Sequence, residues 1–162
     1  MRTPSIRAAT RTDLDCLMAL ESESFGSDRL TLRSFRHFLR APTAALRVVD
    51  DGARIPAYAL VVFRKGSTLA RLYSVAVAEA ARGRGLAGAL LDDAERLAVG
   101  RGAERMRLEV RDDNPAAIRL YERRGYAFKG LQPDYYEDGA DARRYEKPLD
   151  RMASGRSRQA DS

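Results

Sequence analysis

Arg82-Gly83-Arg84-Gly85-Leu86-Ala87-Gly88-Ala89-Leu90-Leu91 is the stretch on which the reading of this chain turns. It follows a strand-like run, Leu72-Tyr73-Ser74-Val75-Ala76-Val77, and it leads into an apolar, helix-periodic segment. A strand, a glycine-bearing turn and a helix N-terminus together form an anion site. The first backbone N–H groups of the helix lack intrahelical partners, and the helix dipole favours negative charge there. Glycine lets the backbone approach a phosphate closely. The segment therefore predicts a phosphorylated ligand.

Three phosphate-binding motifs compete for these residues. Gly83 and Gly88 have the G-x-x-x-x-G spacing of a P-loop, but Ala89 and Leu90 follow. A P-loop requires Lys and Ser/Thr at those places to reach the phosphates and hold magnesium, so this reading fails. Gly83, Gly85 and Gly88 also fit G-x-G-x-x-G, with Glu104 and Glu109 at about the distance of its ribose-binding acid, roughly 20 residues on. That motif places its first glycine at the strand end, whereas Ala78-Glu79-Ala80-Ala81-Arg82 intervene here, and the unit arrives in mid-chain.

The third reading is acyl-coenzyme A. Arg82-x-x-Gly85-x-Ala87 resembles the (Gln/Arg)-x-x-Gly-x-(Gly/Ala) motif of the GNAT N-acetyltransferase superfamily. Further on, Leu108-Glu109-Val110-Arg111, the run Asn114-Pro115-Ala116-Ala117-Ile118-Arg119-Leu120-Tyr121-Glu122, and Gly125-Tyr126 resemble the second half of that fold. Together with Tyr135-Tyr136-Glu137-Asp138-Gly139, they most resemble the ribosomal-protein alanine N-acetyltransferase group. The likeness is good over residues 70–148, loose over 5–65 and absent beyond about 150. It implies an α/β (α+β) acyltransferase fold. Its central sheet is mixed, mostly antiparallel, six- to seven-stranded, splayed in the middle and flanked by four helices.

Bulk properties agree with one soluble domain. The chain has 162 residues, 44% of them hydrophobic and 32% charged. No apolar run approaches the ~18 residues of a membrane span, and Met1-Arg2-Thr3-Pro4 lacks the apolar region of a signal peptide, so a cytoplasmic location is expected. Cys16 is the only cysteine and His37 the only histidine, which excludes an internal disulfide and a multi-cysteine or multi-histidine metal centre. Cys16 stands among Leu14, Leu17 and Leu20 and is expected to be buried as a small apolar group; His37 is expected at or near the surface. The net charge of +6 reflects either arginine-rich composition or attraction to an anionic partner. Basic residues interleaved with aromatics are missing, so direct nucleic-acid binding is not expected.

Periodicity sets out the order of elements. Ser5–Ala9 reads as a strand. Leu14, Leu17, Met18, Glu21 and Phe25 share a helical spacing, with Thr10 or Thr12 as cap, and a second helix begins near Thr31. Strands at 46–49, 55–63 and 69–77 are joined by the turns Asp50-Asp51-Gly52 and Lys65-Gly66-Ser67, as in an antiparallel meander. A helix from Leu86 to about Gly100 follows, then a strand at 105–110, a helix from Pro115 to about Arg124, and closing strands at 126–130 and 143–148. Residues 1–150 make one domain, and 151–162 read as a disordered basic tail.

The resemblance also assigns chemistry: acetyl-CoA as cosubstrate, no metal, and an amine as acceptor. The acceptor is expected to be the N-terminal α-amine of a protein or peptide; a small-molecule amine or lysine side chain, or coenzyme binding without turnover, are the alternatives. An amine must lose a proton before it attacks, with a pKa of about 8 for an α-amine and about 10.4 for lysine. By resemblance Glu109 is the general base, and Tyr121 protonates the departing thiolate. Read from the residues alone, Glu109 is a solvent-facing strand carboxylate and Tyr121 a packed aromatic near Ile118. Asn114, seven residues before Tyr121 and on nearly the same helical face, would bond the pantetheine arm, or serve as an N-cap before Pro115, or both. The backbone of Val75, Ala76 and Val77 would pair with the pantetheine, and Arg82, Gly83, Arg84, Gly85, Leu86, Ala87 and Gly88 would hold the pyrophosphate. Tyr135 and Tyr136 would shape the acceptor pocket, with Phe25 or Asp28 on its opposite rim, or would pack a loop against the sheet. Phe25-Gly26-Ser27-Asp28 lacks the Pro-Trp frequent in the alanine N-acetyltransferase group, which leaves the acceptor less defined than the donor. A monomer or a homodimer is compatible with all of this.

Overall fold

A computed structural model describes residues 4–26 and 28–149; the tail expected to be disordered lies outside the described residues. Seven strands form one sheet: β1 (Ser5–Ala8), β2 (Ala44–Asp50), β3 (Ala57–Phe63), β4 (Leu69–Val77), β5 (Arg105–Arg111), β6 (Ala127–Gln132) and β7 (Ala142–Pro148). Their order across the sheet is β1-β2-β3-β4-β5-β7-β6. Only β4 and β5 are parallel; the other neighbours run antiparallel. Four α-helices cover it: α1 (Leu14–Ser24), α2 (Leu32–Arg40), α3 (Leu86–Gly100) and α4 (Pro115–Arg123).

Local chemistry accounts for the helix ends. Thr31 caps α2, its hydroxyl accepting from Ser34 N at 3.1 Å. Asn114 caps α4, accepting from Ala117 N at 3.2 Å, and Pro115 takes the first helical position, where a missing N–H costs nothing. Before α1, Thr10 and Asp13 form a capping box around a short 3-10 turn, and Arg7 donates two bonds to the Asp13 carboxylate. The Arg7 guanidinium holds that carboxyl below the usual carboxylate range.

The sheet separates two cores. On one face Leu90, Leu91, Ala94 and Ala98 of α3 meet Leu72, Met106, Leu108 and Tyr145. On the other, Leu17, Leu20 and Phe35 of α1 and α2 meet Leu46, Val48, Tyr58 and Leu60. Along β5 the alternation is complete: Met106, Leu108 and Val110 are buried, whereas Arg105, Arg107, Glu109 and Arg111 turn to the opposite face. Leu90 is fully buried at the centre of the first core, so Leu90→Ala is expected to cost about 2–5 kcal/mol in a denaturant titration, from lost transfer energy and the cavity left behind.

Two local expectations change. Cys16 is exposed rather than buried. The buried stripe of α1 runs through Leu17, Leu20 and Glu21, and Cys16 lies about 100° round the helix from Leu17, past the edge of that stripe. Phe25 is not part of α1; it ends the helix in an extended conformation. Between β4 and the glycine turn, Glu79–Ala81 form a 3-10 turn that buries Ala81.

Candidate active site

The site begins where β4 and β5 separate. Their parallel ladder runs from Leu69↔Arg105 to Leu72↔Leu108 and stops. At that point β4 carries a bulge against β3: Leu72 pairs with Val61 and Ser74 with Leu60, leaving Tyr73 as the extra residue. A bulge bends and twists its strand, which turns the remainder of β4 away from β5. From Ser74 to Val77 the strand pairs only with β3. Its other edge, toward β5, has no ladder partner among the described residues, which leaves a gap between the two strands.

One end of the gap meets the glycine turn. Gly83 and Gly85 have φ of 83° and 77°, in the left-handed region that side chains rarely adopt, and Gly85 is the N-cap of α3. Arg82, Gly83, Arg84 and Gly85 are all exposed, and the N–H groups of the first turn of α3 point out of the helix end. Leu86 and Gly88 are buried, so only their backbone can serve a ligand. A Cβ on Gly88 would overlap the guanidinium of Arg124, which lies across this first turn and donates to Asp92 at 2.5 Å. The free strand edge and this row of N–H groups fit the amides and phosphates of an acyl-coenzyme A.

The other end opens into a cavity of about 650 Å³. Its walls bring together Glu109, Asn114, Tyr121, Tyr135, Tyr136, Phe25 and Val75 of the residues singled out from the sequence. Ala76 and Val77 do not line it; the Ala76 side chain belongs to the core under α1 and α2.

Glu109 is on the face opposite Leu108 and Val110, yet it is not solvent-facing. Its side chain is only 4% exposed. Arg71 Nε and Arg144 Nε each donate to it at 3.2 Å, and Arg107 Nε lies 3.5 Å away. Tyr121 is half-buried and packs edge-on against Tyr126 with ring centroids 5.9 Å apart, and its hydroxyl has no hydrogen-bond partner among the described residues. Burial pushes its hydroxyl up to about 12. Asn114 spends one oxygen bond on its cap, and it also lines the cavity.

The rim is tied together by charge. Tyr135 accepts from Arg71 Nη2 at 2.6 Å, and its ring stands against Tyr136 with centroids 5.0 Å apart. Arg111 covers the Tyr136 ring and binds Asp138 at 2.6 Å and Asp28 at 3.3 Å. Asp28 also accepts from Glu137 N at 3.0 Å, which joins the α1–α2 loop to the β6–β7 loop across the mouth.

Several wall residues escaped sequence reasoning: Arg71, Arg111, Ser24, Ser74 and above all Glu21. Glu21 is 1% exposed and accepts from Leu30 N at 2.6 Å and from the Tyr58 hydroxyl. Tyr58 in turn lies 2.8 Å from Ser74 Oγ. The one available signal was a glutamate on the apolar face of a helix.

Residues 13–126 match the sequence model of the acetyltransferase (GNAT) family, and the chain belongs to that family. Similar proteins include the N-alpha-acetyltransferase RimI of Mycobacterium tuberculosis, 34% identical over 85% of this chain and 88% of its own. The Escherichia coli ribosomal-protein-S18-alanine N-acetyltransferase superposes with a TM-score of 0.80 at 25% identity, covering 91% of this chain and 94% of its own. Ard1 of Thermoplasma volcanium shares the fold, with a TM-score of 0.83 at 24% identity over 90% and 97% of the two chains. The protein is an N-acetyltransferase.

Proposed function

We propose that this enzyme moves the acetyl group of acetyl-CoA to the α-amine of a protein or peptide N-terminus, in the cytoplasm. The observation that carries the reading is the split between β4 and β5, with a glycine turn at one end and Glu109 and Tyr121 in one cavity at the other. The names of the similar proteins, RimI and a ribosomal-protein-alanine N-acetyltransferase, favour an α-amine over a lysine or a small amine.

Acetyl-CoA, when bound, supplies the thioester carbonyl that the amine attacks. The backbone of Val75, Ala76 and Val77 holds the pantetheine amides, Asn114 adds a side-chain bond, and residues 82–88 hold the pyrophosphate. Glu109 takes a proton from the nitrogen as the C–N bond forms. Tyr121 gives its proton to the sulfur as the C–S bond breaks. A hydroxyl raised to about 12 stays protonated at neutral pH, as a donor must. Tyr135, Tyr136 and Phe25 shape the space for the first acceptor residues.

Incubation of α-amine peptides, lysine peptides and small amines with acetyl-CoA, read by mass spectrometry, tests the acceptor. The expected product carries the acetyl group on the N-terminal nitrogen; modification of lysine or of small amines alone overturns the reading. For the donor, Gly85→Asp is expected to weaken acetyl-CoA binding by more than about tenfold. It places a side chain and a negative charge where phosphate approaches, at a φ suited to glycine. Unchanged affinity in a folded variant, measured by calorimetry, removes the turn from the cofactor site.

A further inference from the structure

We propose that Glu21 is a second proton acceptor in the acceptor pocket, reached from the incoming amine through Ser74 and Tyr58, and that it takes the first of the two protons the nitrogen must lose. The inference rests on the α-amine reading above. An ammonium group that becomes an amide loses two protons. One leaves before the nitrogen can attack, and the other leaves the tetrahedral adduct. Glu109 serves the second, which leaves the first without a base.

Glu21 has the placement for it. It lines the same cavity from the α1 side, while Glu109 lines it from β5. Its two hydrogen bonds come from neutral groups, the Leu30 amide and the Tyr58 hydroxyl, and no cation pairs with it among the described residues. Glu109, by contrast, sits among three guanidiniums. Burial raises the Glu21 carboxyl above its ordinary value, which suits a base working near neutral pH.

The path is continuous. Ser74 Oγ lines the cavity on β4, directly before Val75 of the free strand edge, and lies 2.8 Å from the Tyr58 hydroxyl, which donates to Glu21. A proton from the ammonium nitrogen passes to Ser74 Oγ, the Ser74 proton to Tyr58, and the Tyr58 proton to Glu21 Oε1. Each hydroxyl ends as it began, the carboxylate becomes a carboxylic acid, and the nitrogen keeps its lone pair. Ser24 Oγ, one helical turn from Glu21 on the same wall, is buried without a partner and is positioned to receive a donor beside it. The other titratable or charged groups on the surrounding walls are Arg71 and Tyr73 from β4, Glu109 and Arg111 from β5, Tyr121 from α4, and Asp28, Tyr135, Tyr136 and Asp138 from the loops. None of them hydrogen-bonds Glu21 in the described structure.

The pH dependence of kcat at saturating peptide and acetyl-CoA tests the proposal. In Glu21→Gln the enzyme must wait for an amine that is already neutral, so the acid limb moves up toward the amine's own pKa of about 8. At pH 6.5 only about 3% of such an amine is neutral, so kcat is expected to fall about 30-fold there and to recover to within about threefold at pH 9. Tyr58→Phe and Ser74→Ala, which leave the carboxylate in place, shift the limb in the same direction. A role limited to holding the α1–α2 loop through Leu30 would raise the peptide KM at every pH and leave the limb of kcat unmoved; that result overturns the proposal. An independent readout is the carboxyl-carbon titration of Glu21 by NMR in the protein without acetyl-CoA. It should fall well above the value of about 4.3 for an exposed glutamate, and titration at that value overturns the proposal. If the α-amine reading itself fails, the wild type acetylates no peptide N-terminus, and the NMR titration still tests Glu21 by itself.

Discussion

Glu109→Gln is expected to bind acetyl-CoA as the parent does and to turn over about 10²–10⁴-fold more slowly, the range typical of a lost general base. The substitution keeps the size of the side chain and one oxygen acceptor, so the strand register with β7 is undisturbed. It removes the negative charge between Arg71, Arg107 and Arg144. Those side chains are each about a third exposed, at 33%, 30% and 30%, so water can take over much of their solvation and the fold survives. Calorimetry with acetyl-CoA and a mass-spectrometric rate on an acetylatable peptide check both halves. A variant as fast as the parent at pH 7 takes Glu109 out of the chemistry.

Tyr121→Phe separates a working hydroxyl from a packed ring. The ring and its edge-on contact with Tyr126 remain, and no hydrogen bond among the described residues is lost. Packing alone therefore predicts normal stability and normal activity. Proton donation predicts normal folding and normal acetyl-CoA affinity, with turnover reduced by roughly 10²-fold or more. The deficit should shrink with an acyl donor whose thiol leaves more readily, because that thiolate departs without a proton. Wild-type turnover of Tyr121→Phe with acetyl-CoA would make the tyrosine structural.

Much of the architecture was legible in the chain because local physics and the global fold agree. Asn114 before Pro115, Gly85 before the Leu86–Leu91 run, and the alternation of Met106, Leu108 and Val110 each specify an element through short-range chemistry. The same holds for the glycine turn, whose positive φ values only glycine adopts easily. Where the local signal was edge-on to the core, it misled: Cys16 stands beside leucines in sequence, but the helix turns it outward.

By itself, then, the sequence determined the order of elements, the glycine turn before α3 and the family, since all three depend on neighbours a few residues apart. Tertiary structure alone decided what surrounds each candidate site residue. Glu109 reads as an exposed strand carboxylate until β4 and β7 bring Arg71 and Arg144 to it from 38 and 35 residues away. Glu21 reads as a misplaced polar residue on an apolar helix face until β3 supplies Tyr58 from 37 residues away. No periodicity encodes those meetings, because electrostatics and desolvation act across space and the folded sheet is what sets the distances.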